Sequence, residues 1–524
     1  MILELKENHH MNESGTSLIS STLMEILEWF LEELEAKLVQ ESSDIHAEAF
    51  SLVKQQGRKL IMNSPLLEVN TEHKIKKYLL DKCGLVKPQE IVLGSEYNVE
   101  VQSDSETISE AEEKAMIVPM VEQLTQLFTN REIYNYTFTA PVNQSSDNVI
   151  RNAKDGSVYK NHRICQLYPD ALLIQLYIDD VEMVNPLGSH TKKNKITVFY
   201  WNLLNLPNHM RSSLKAINLY GFALSTSIKK FGYQEMLRNF LQTIQQLETP
   251  DGLLIRLGNE PVILHGTLIS VSGDGLALNE IGGFKSIGSL TFKFCRNCDL
   301  DRNEIFKSFV ERNIRAFPQH KERVKKIQAE PTKIVRDEMC KTYGINGESI
   351  FSTLQNFDIT KGLPQDLMHN LLEGVQEVEI RALLFRLIED FKVLTYQNLN
   401  HLLKSFPYPE SLKSSKPSPI DRAHVVSGKL RQSASQMISL LCVMPFLLEP
   451  YHDDQTASFI DNFILLAKIS NILLSFEVDR PTLDLSRYMI EKHHSRYQTL
   501  YPEFPMTPKF HLMIHAPSYR IQDA

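Results

Sequence analysis

Three acids and two pairs of soft ligands are the residues of this sequence that could do chemistry. The segment LLIQLYIDD, Leu172 to Asp180, is an apolar run ending on adjacent carboxylates, Asp179 and Asp180, and a polar turn with Asn185, Pro186 and Gly188 follows. A strand with an acid at its tip holds a metal-binding carboxylate rigid. A second apolar run, VILHGTLISVSGD, ends on Asp274. Carboxylates on neighbouring strand ends can bridge divalent ions, which position an attacking oxygen and stabilise a leaving oxygen in phosphodiester chemistry. The alternative is that Asp179, Asp180 and Asp274 are solvated turn residues.

Cys295 and Cys298 have the spacing with which two thiolates grip one Zn²⁺, but two ligands do not close a tetrahedral site. His511 and His515 in KFHLMIH supply the missing pair, since positions i and i+4 share a helix face. Reduced core thiols and two hydrogen-bonded imidazoles on a packed face are the competing account. Lys192, Lys193 and Lys195 follow the first strand end, where they suit DNA phosphates, although a charge run also suits a solvated face.

The elements that must position these residues follow from periodicity. Beyond LLIQLYIDD, the sequence predicts strands at Ile196–Leu203, within Leu214–Leu224 and at Val262–Asp274, with a helix at Tyr233–Leu247 ended by Pro250 and Gly252. Three strands, a helix and a strand that again ends in an acid is the order of a ribonuclease-H-like α/β core with a mixed five-stranded sheet. If the fourth strand lies parallel beside the first, the acids at their tips become neighbours. Apolar residues at helical spacing predict an amphipathic helix from Ser17 to about Asn63, with a dimerising face as one use of it. The acidic stretch SDSETISEAEEK reads as a mobile linker near 102–114, and a helix is expected at Pro119–Phe128. Beyond about residue 302 the chain reads as helical. The expected organisation is a helical N-terminal region (1–165), the α/β core (166–300), a large all-α insertion (301–505) and the start of a further core segment (506–524), mostly α overall.

With 42% hydrophobic residues, 23% charged residues and a net charge of −8, the chain has an ordinary globular composition and does not suit non-specific coating of nucleic acid. No window of roughly 18 apolar residues stands out, and the densest candidate, Met437–Leu448, reads as a buried helix broken by Pro445. The first residues lack the basic start and apolar run of a secretory signal, so an intracellular, reducing location without a membrane is expected. No small-molecule substrate is suggested.

In serial order, DDVEMVNPLGSH, KITVFYWNLLNLPNHMRSSL, GDGLALNEIGGF, FCRNC, LPQDLMHNLLEGV and PKFHLMIHAP resemble the CACTA-type DNA transposases, over roughly residues 75–519. The resemblance implies cut-and-paste chemistry with Mg²⁺ or Mn²⁺, DNA as partner, a nuclear location and a catalytic set of two Asp and one Glu. It places the first acid on Asp179, with Asp180 as the alternative, and the second on Asp274. The Glu is expected after His515, in a motif resembling Arg-Phe-Glu-x-Lys-His, and residues 516–524 contain no Glu. Little or no transposition is therefore expected of this chain, and a non-catalytic binding scaffold or a translated element remnant is the other reading. Glu373, on an apolar-periodic helix, is a remote substitute. Zinc on Cys295, Cys298, His511 and His515, tying the insertion to the core, also resembles a recombinase related to these transposases. Asp366-Leu-Met-His369 matches a D-x-x-H element of related transposases, which makes His369 a reserve ligand, while Asp366 also reads as a helix cap.

Overall fold

The computed structural model describes residues 71–102, 105–138, 148–182, 195–286, 291–426 and 428–523, with a few isolated residues before them. The amphipathic helix expected from Ser17 to Asn63 lies outside the described residues, apart from isolated helical positions such as Ile26. The chain divides into two compact units, Met1–Pro88 and Gln89–Ala524. In the first, Glu72–Lys82 is a helix capped by the Thr71 hydroxyl. The acids and the cysteine and histidine pairs all belong to the second.

At the centre of that second unit is a six-stranded mixed sheet. The strands are β1 (Gln89–Gln102), β2 (Ser105–Ile117), β3 (Leu172–Glu182), β4 (Lys195–Leu203), β5 (Asn218–Leu224) and β6 (Gly266–Gly273), in the spatial order β1-β2-β5-β4-β3-β6. Strands β3, β4 and β5 run antiparallel to one another in turn, and β6 lies parallel to β3. Residues 105–114 are thus a strand, not a linker, and the sheet has six strands rather than five. Acidic side chains are tolerated there because β2 alternates: Ala115 and Ile117 are buried, whereas Lys114 pairs at 2.8 Å with Glu90 on the adjacent strand. The run Val262–Asp274 is also two elements. Glu260–Leu264 pairs with Leu253–Leu257 in a separate hairpin before β6 begins.

The sheet buries one face under helix α1 (Gln234–Leu247), whose Met236, Leu237, Phe240, Leu241, Ile244 and Leu247 recur at helical spacing and share one hydrophobic core with Leu172, Ile174, Leu176 and Ile178 of β3. On β3, Gln175, Tyr177 and Asp179 alternate to the other face. Gly273 permits the close β3–β6 approach, since a Cβ there would stand 2.6 Å from the Ile178 carbonyl oxygen.

Most of the remaining elements are helical, so the unit is mainly α with an α/β part. Residues 317–363 contribute Val324, Ile327, Cys340 and Phe351 to the sheet's core, and a second core draws on residues from Phe309 to Ala516. In that second core, Met368–Gln376 forms a π-helix and Glu377–Phe385 continues it as α-helix. The helical runs Ala434–Tyr451 and Ala457–Leu474 are, against expectation, long and apolar enough by length and composition to cross a membrane. Here Met437, Leu440 and Met444 of the first and Phe463, Leu466 and Ile469 of the second are buried in that core.

Candidate metal centre and acidic site

The cysteines sit in a loop after the sheet that neighbouring backbone holds in place. Cys298 makes an isolated antiparallel bridge to Ile314, the amide of Arg315 donates to the Asn297 carbonyl at 2.8 Å, and the Arg315 side chain donates to the Cys295 carbonyl at 3.0 Å. His511 comes from helix α2 (Pro508–Met513), whereas His515 lies in the turn after it rather than on the same helix. All four residues are buried, and one ligand atom of each lies within 4.8 Å of the others. Among the described residues no other group of three or more such side chains meets this closely.

The donor set fits a soft-to-borderline dication. The Cys298 Sγ is 3.3 Å from His511 Nε2, and the Cys295 Sγ is 3.5 Å from His515 Nε2. Zn–S near 2.3 Å and Zn–N near 2.0 Å at tetrahedral angles place sulfur and nitrogen roughly 3.5 Å apart. Burial opposes the Cys295 thiolate, but hydrogen bonding from Cys298 and the neighbouring imidazoles outweighs it and lowers that thiol well below its ordinary range. The Cys298 thiol is raised by its bond to Cys295 and by burial. Burial also opposes charge on His515, yet the Cys295 thiolate and Glu311 hold it up to about 9. Together these shifts describe a buried site that already stabilises thiolate and holds protons a metal would displace.

The surrounding residues do the orienting, and sequence reasoning missed them. Glu311 accepts from His515 Nδ1 at 2.8 Å, which fixes the tautomer that turns Nε2 toward Cys295, and it is itself held by Arg487 at 2.9 Å. Within the Cys-x-x-Cys loop, Arg296 is buried and donates to the carbonyls of Leu363 and Pro364 and to the Asn279 side chain. Asn297 meets Tyr519 and Gln365. Their position between two ligands was the available signal.

The acids lie at the other end of these links. Ile178 and Gly273 are the last parallel partners, so Asp274 leaves β6 beside Asp179, which lies within β3 because that strand runs on to Glu182 against β4 and does not end at the acids as expected. Asp274 caps helix α3 (Gly275–Ile281), with its Oδ1 accepting from the Ala277 amide at 2.7 Å. Asp179 accepts from the Asp180 amide at 2.8 Å, and burial followed by the charge of Asp274 raises its carboxyl. Asp180 turns to the opposite face, where Thr197 and Ser225 donate to it at 2.6 and 3.0 Å. Burial and then the charges of Asp179, Asp366 and Asp274 push Tyr177 up to about 12, so three carboxylates share that neighbourhood. Asp366 also caps the helix that follows, accepting from the His369 amide at 3.2 Å, and its other oxygen meets His369 Nδ1. His369 therefore belongs with the acids and not with the cysteines, and Glu373 lies 3.9 Å from its Nε2. Of the lysines, Lys192 and Lys193 lie outside the described residues, and Lys195 opens β4 opposite Glu182. The chain matches no protein-family model, and no curated protein matches it.

Proposed function

We propose that the chain is a transposase-derived protein with a ribonuclease-H-like core, in which Asp179 and Asp274 are acids of a site for metal-assisted phosphodiester chemistry. The observation that carries this reading is the parallel β3–β6 register, which makes neighbours of two acids far apart in sequence. The order β5-β4-β3-β6, three antiparallel strands with a fourth parallel to the first, supports the same core. Asp179 is the better first acid, because its carboxyl feels Asp274 whereas Asp180 is held by two hydroxyls on the other face. The two carboxylates fit a hard divalent ion, since burial and mutual repulsion are what a cation relieves. Bound Mg²⁺ or Mn²⁺ would supply activation of the attacking oxygen and stabilisation of the leaving one. DNA is the proposed partner and the nucleus the proposed compartment. Zinc is the proposed ion of the Cys₂His₂ set, where it would tie α2 to the loop beside the core.

Among the described residues, two acids alone should bind the ions without supporting efficient strand cleavage. Asp366 reaches the same neighbourhood, but it is engaged as a helix cap and by His369. That engagement favours the second reading, a non-catalytic DNA- or protein-binding scaffold. A Mn²⁺ titration followed by electron paramagnetic resonance, alongside nicking of supercoiled plasmid, tests both. We expect Mn²⁺ binding that is lost in Asp179→Asn/Asp274→Asn, with no robust nicking. Equal Mn²⁺ binding by the double variant would remove the acid site. Robust nicking abolished by Asp274→Ala would overturn the expectation of inactivity.

A further inference from the structure

On the same sheet face as Asp179, a cavity of about 180 Å³ opens beside Gln175 of β3 and Ser270 of β6. Its wall also carries Gln365, Tyr519 and two arginines, Arg211 and Arg520. Arg211 ends a four-residue helix and, among the described residues, meets the Asn208 side chain on that helix. Arg520 donates to the Ser475 carbonyl at 2.6 Å, and its Nε–H is buried without a partner. No described carboxylate acts on either guanidinium. Burial and then the charge of Arg520 lower Arg211, and burial lowers Arg520. Two guanidiniums that cannot deprotonate, sharing a half-buried cavity with no carboxylate among the described side chains, are a charge that those residues leave uncompensated.

We propose that this cavity is a phosphate-binding site, in which Arg211 and Arg520 grip the phosphate oxygens and Gln175, Ser270 and Gln365 line the rest. Planar guanidinium forks match phosphate oxygens two at a time, and the Ser270 hydroxyl, which accepts from Gln175 at 3.3 Å, keeps its own proton for a further phosphate oxygen. The position adds a reason for phosphate over carboxylate. Gln175 precedes Asp179 by four residues on one face of β3, a distance of about 13 Å. At a rise of about 3.4 Å per nucleotide, a strand with one phosphate here would bring a linkage about four nucleotides away to the acids. The identity of that carrier rests on the nucleic-acid reading above, whereas the phosphate site itself does not.

The test uses the whole chain and inorganic phosphate. Thermal melts in phosphate, against chloride of equal ionic strength, should show a rise in Tm for the wild type. The rise should be absent in Arg211→Gln/Arg520→Gln. Should that double variant fail to fold, Arg211→Gln alone serves, since its only described partner is a nearby asparagine. Arg211→Glu should melt no lower than wild type in chloride and should ignore phosphate, because it gives Arg520 an internal carboxylate. In parallel, binding of a labelled single-stranded oligonucleotide is measured against salt. A salt slope shallower by roughly 1–2 in the double variant identifies a polynucleotide as the carrier. An unchanged slope with the phosphate shift still lost identifies a small phosphate instead. No phosphate shift in the wild type, or the same shift in the variants, overturns the site. Neither result bears on Mn²⁺ binding at Asp179 and Asp274, so the two readings fail separately.

Discussion

Arg296 donates to the Asn279 side chain at 3.2 Å, and this contact ties the cysteine loop to helix α3, which Asp274 caps. The same guanidinium reaches the Leu363 and Pro364 carbonyls at 3.0 and 2.6 Å, just before Asp366. One buried side chain thus fixes the loop that carries Cys295 against both segments that carry Asp274 and Asp366.

Removing that guanidinium should be costly out of proportion to its size. Arg296→Met leaves two buried acceptors and one half-buried one without this donor, and each buried orphan costs about 1–3 kcal/mol, so a loss of roughly 2–6 kcal/mol is expected. Arg296→Lys should recover little, because a single ammonium does not span three acceptors arranged for a fork. Urea unfolding midpoints check this, and a wild-type midpoint in Arg296→Met would show that the tie carries no stability.

The metal centre makes a sharper prediction. Purified protein should carry about one zinc per chain, as a closed four-ligand site does, and Cys295→Ser should lose most of it. Glu311→Ala keeps all four ligands but frees the His515 ring, so zinc affinity should fall about 10- to 100-fold in competition with a chromophoric chelator. Unchanged zinc content in Cys295→Ser would sink the assignment.

The helical block contains a buried polar chain with its own consequence. Glu379 meets His493 Nε2 and accepts from Asn462 at 3.0 Å, His493 and His494 share a bond at 2.8 Å between their Nδ1 atoms, and His494 Nε2 donates to the Phe510 carbonyl at 2.9 Å. All four side chains are fully buried. Glu379→Ala strands the partners and should cost about 3–5 kcal/mol, whereas Glu379→Leu/His493→Leu removes both members of the central pair and should recover part of that, Asn462 and His494 still each losing one bond. A double variant no more stable than the single one would show that the chain is not an energetic unit.

How far these sites were legible differs with the range of the interactions. The β3, β4 and β5 segments and α1 announce themselves through local periodicity, but β3 runs past the acids to Glu182 because its pairing with β4, a contact between strands, continues there. The β1–β2 hairpin was not, because its glutamates look like solvated linker until Lys114 and Glu90 are paired across strands. The Cys₂His₂ set was legible from spacing, although His515 arrives from a turn rather than from the helix face expected. Glu311 and Arg211 carried no local signal at all, since what defines each is a partner, or a missing partner, far along the chain.

Acid should weaken the fold through His320. Its ring is buried against Phe284, with centroids 5.1 Å apart, and burial followed by Arg315 and Arg323 lowers it to about 4. Asp358 and Asp299 also face it and act in the opposite direction. The folded state therefore keeps His320 neutral at a pH where the unfolded chain, titrating near 6.5, takes up a proton. A histidine depressed in this way contributes stability that is intact above about pH 6.5 and is lost progressively as pH falls toward 4. By pH ~5.5 the loss from this residue alone should be about 1 kcal/mol. His320→Gln removes the titrating group but keeps a side chain of similar size, so its urea midpoint should fall less than that of the wild type between pH ~7 and ~5.5. Parallel pH profiles for the two proteins would show that the ring is already protonated, or already solvated, in the native state.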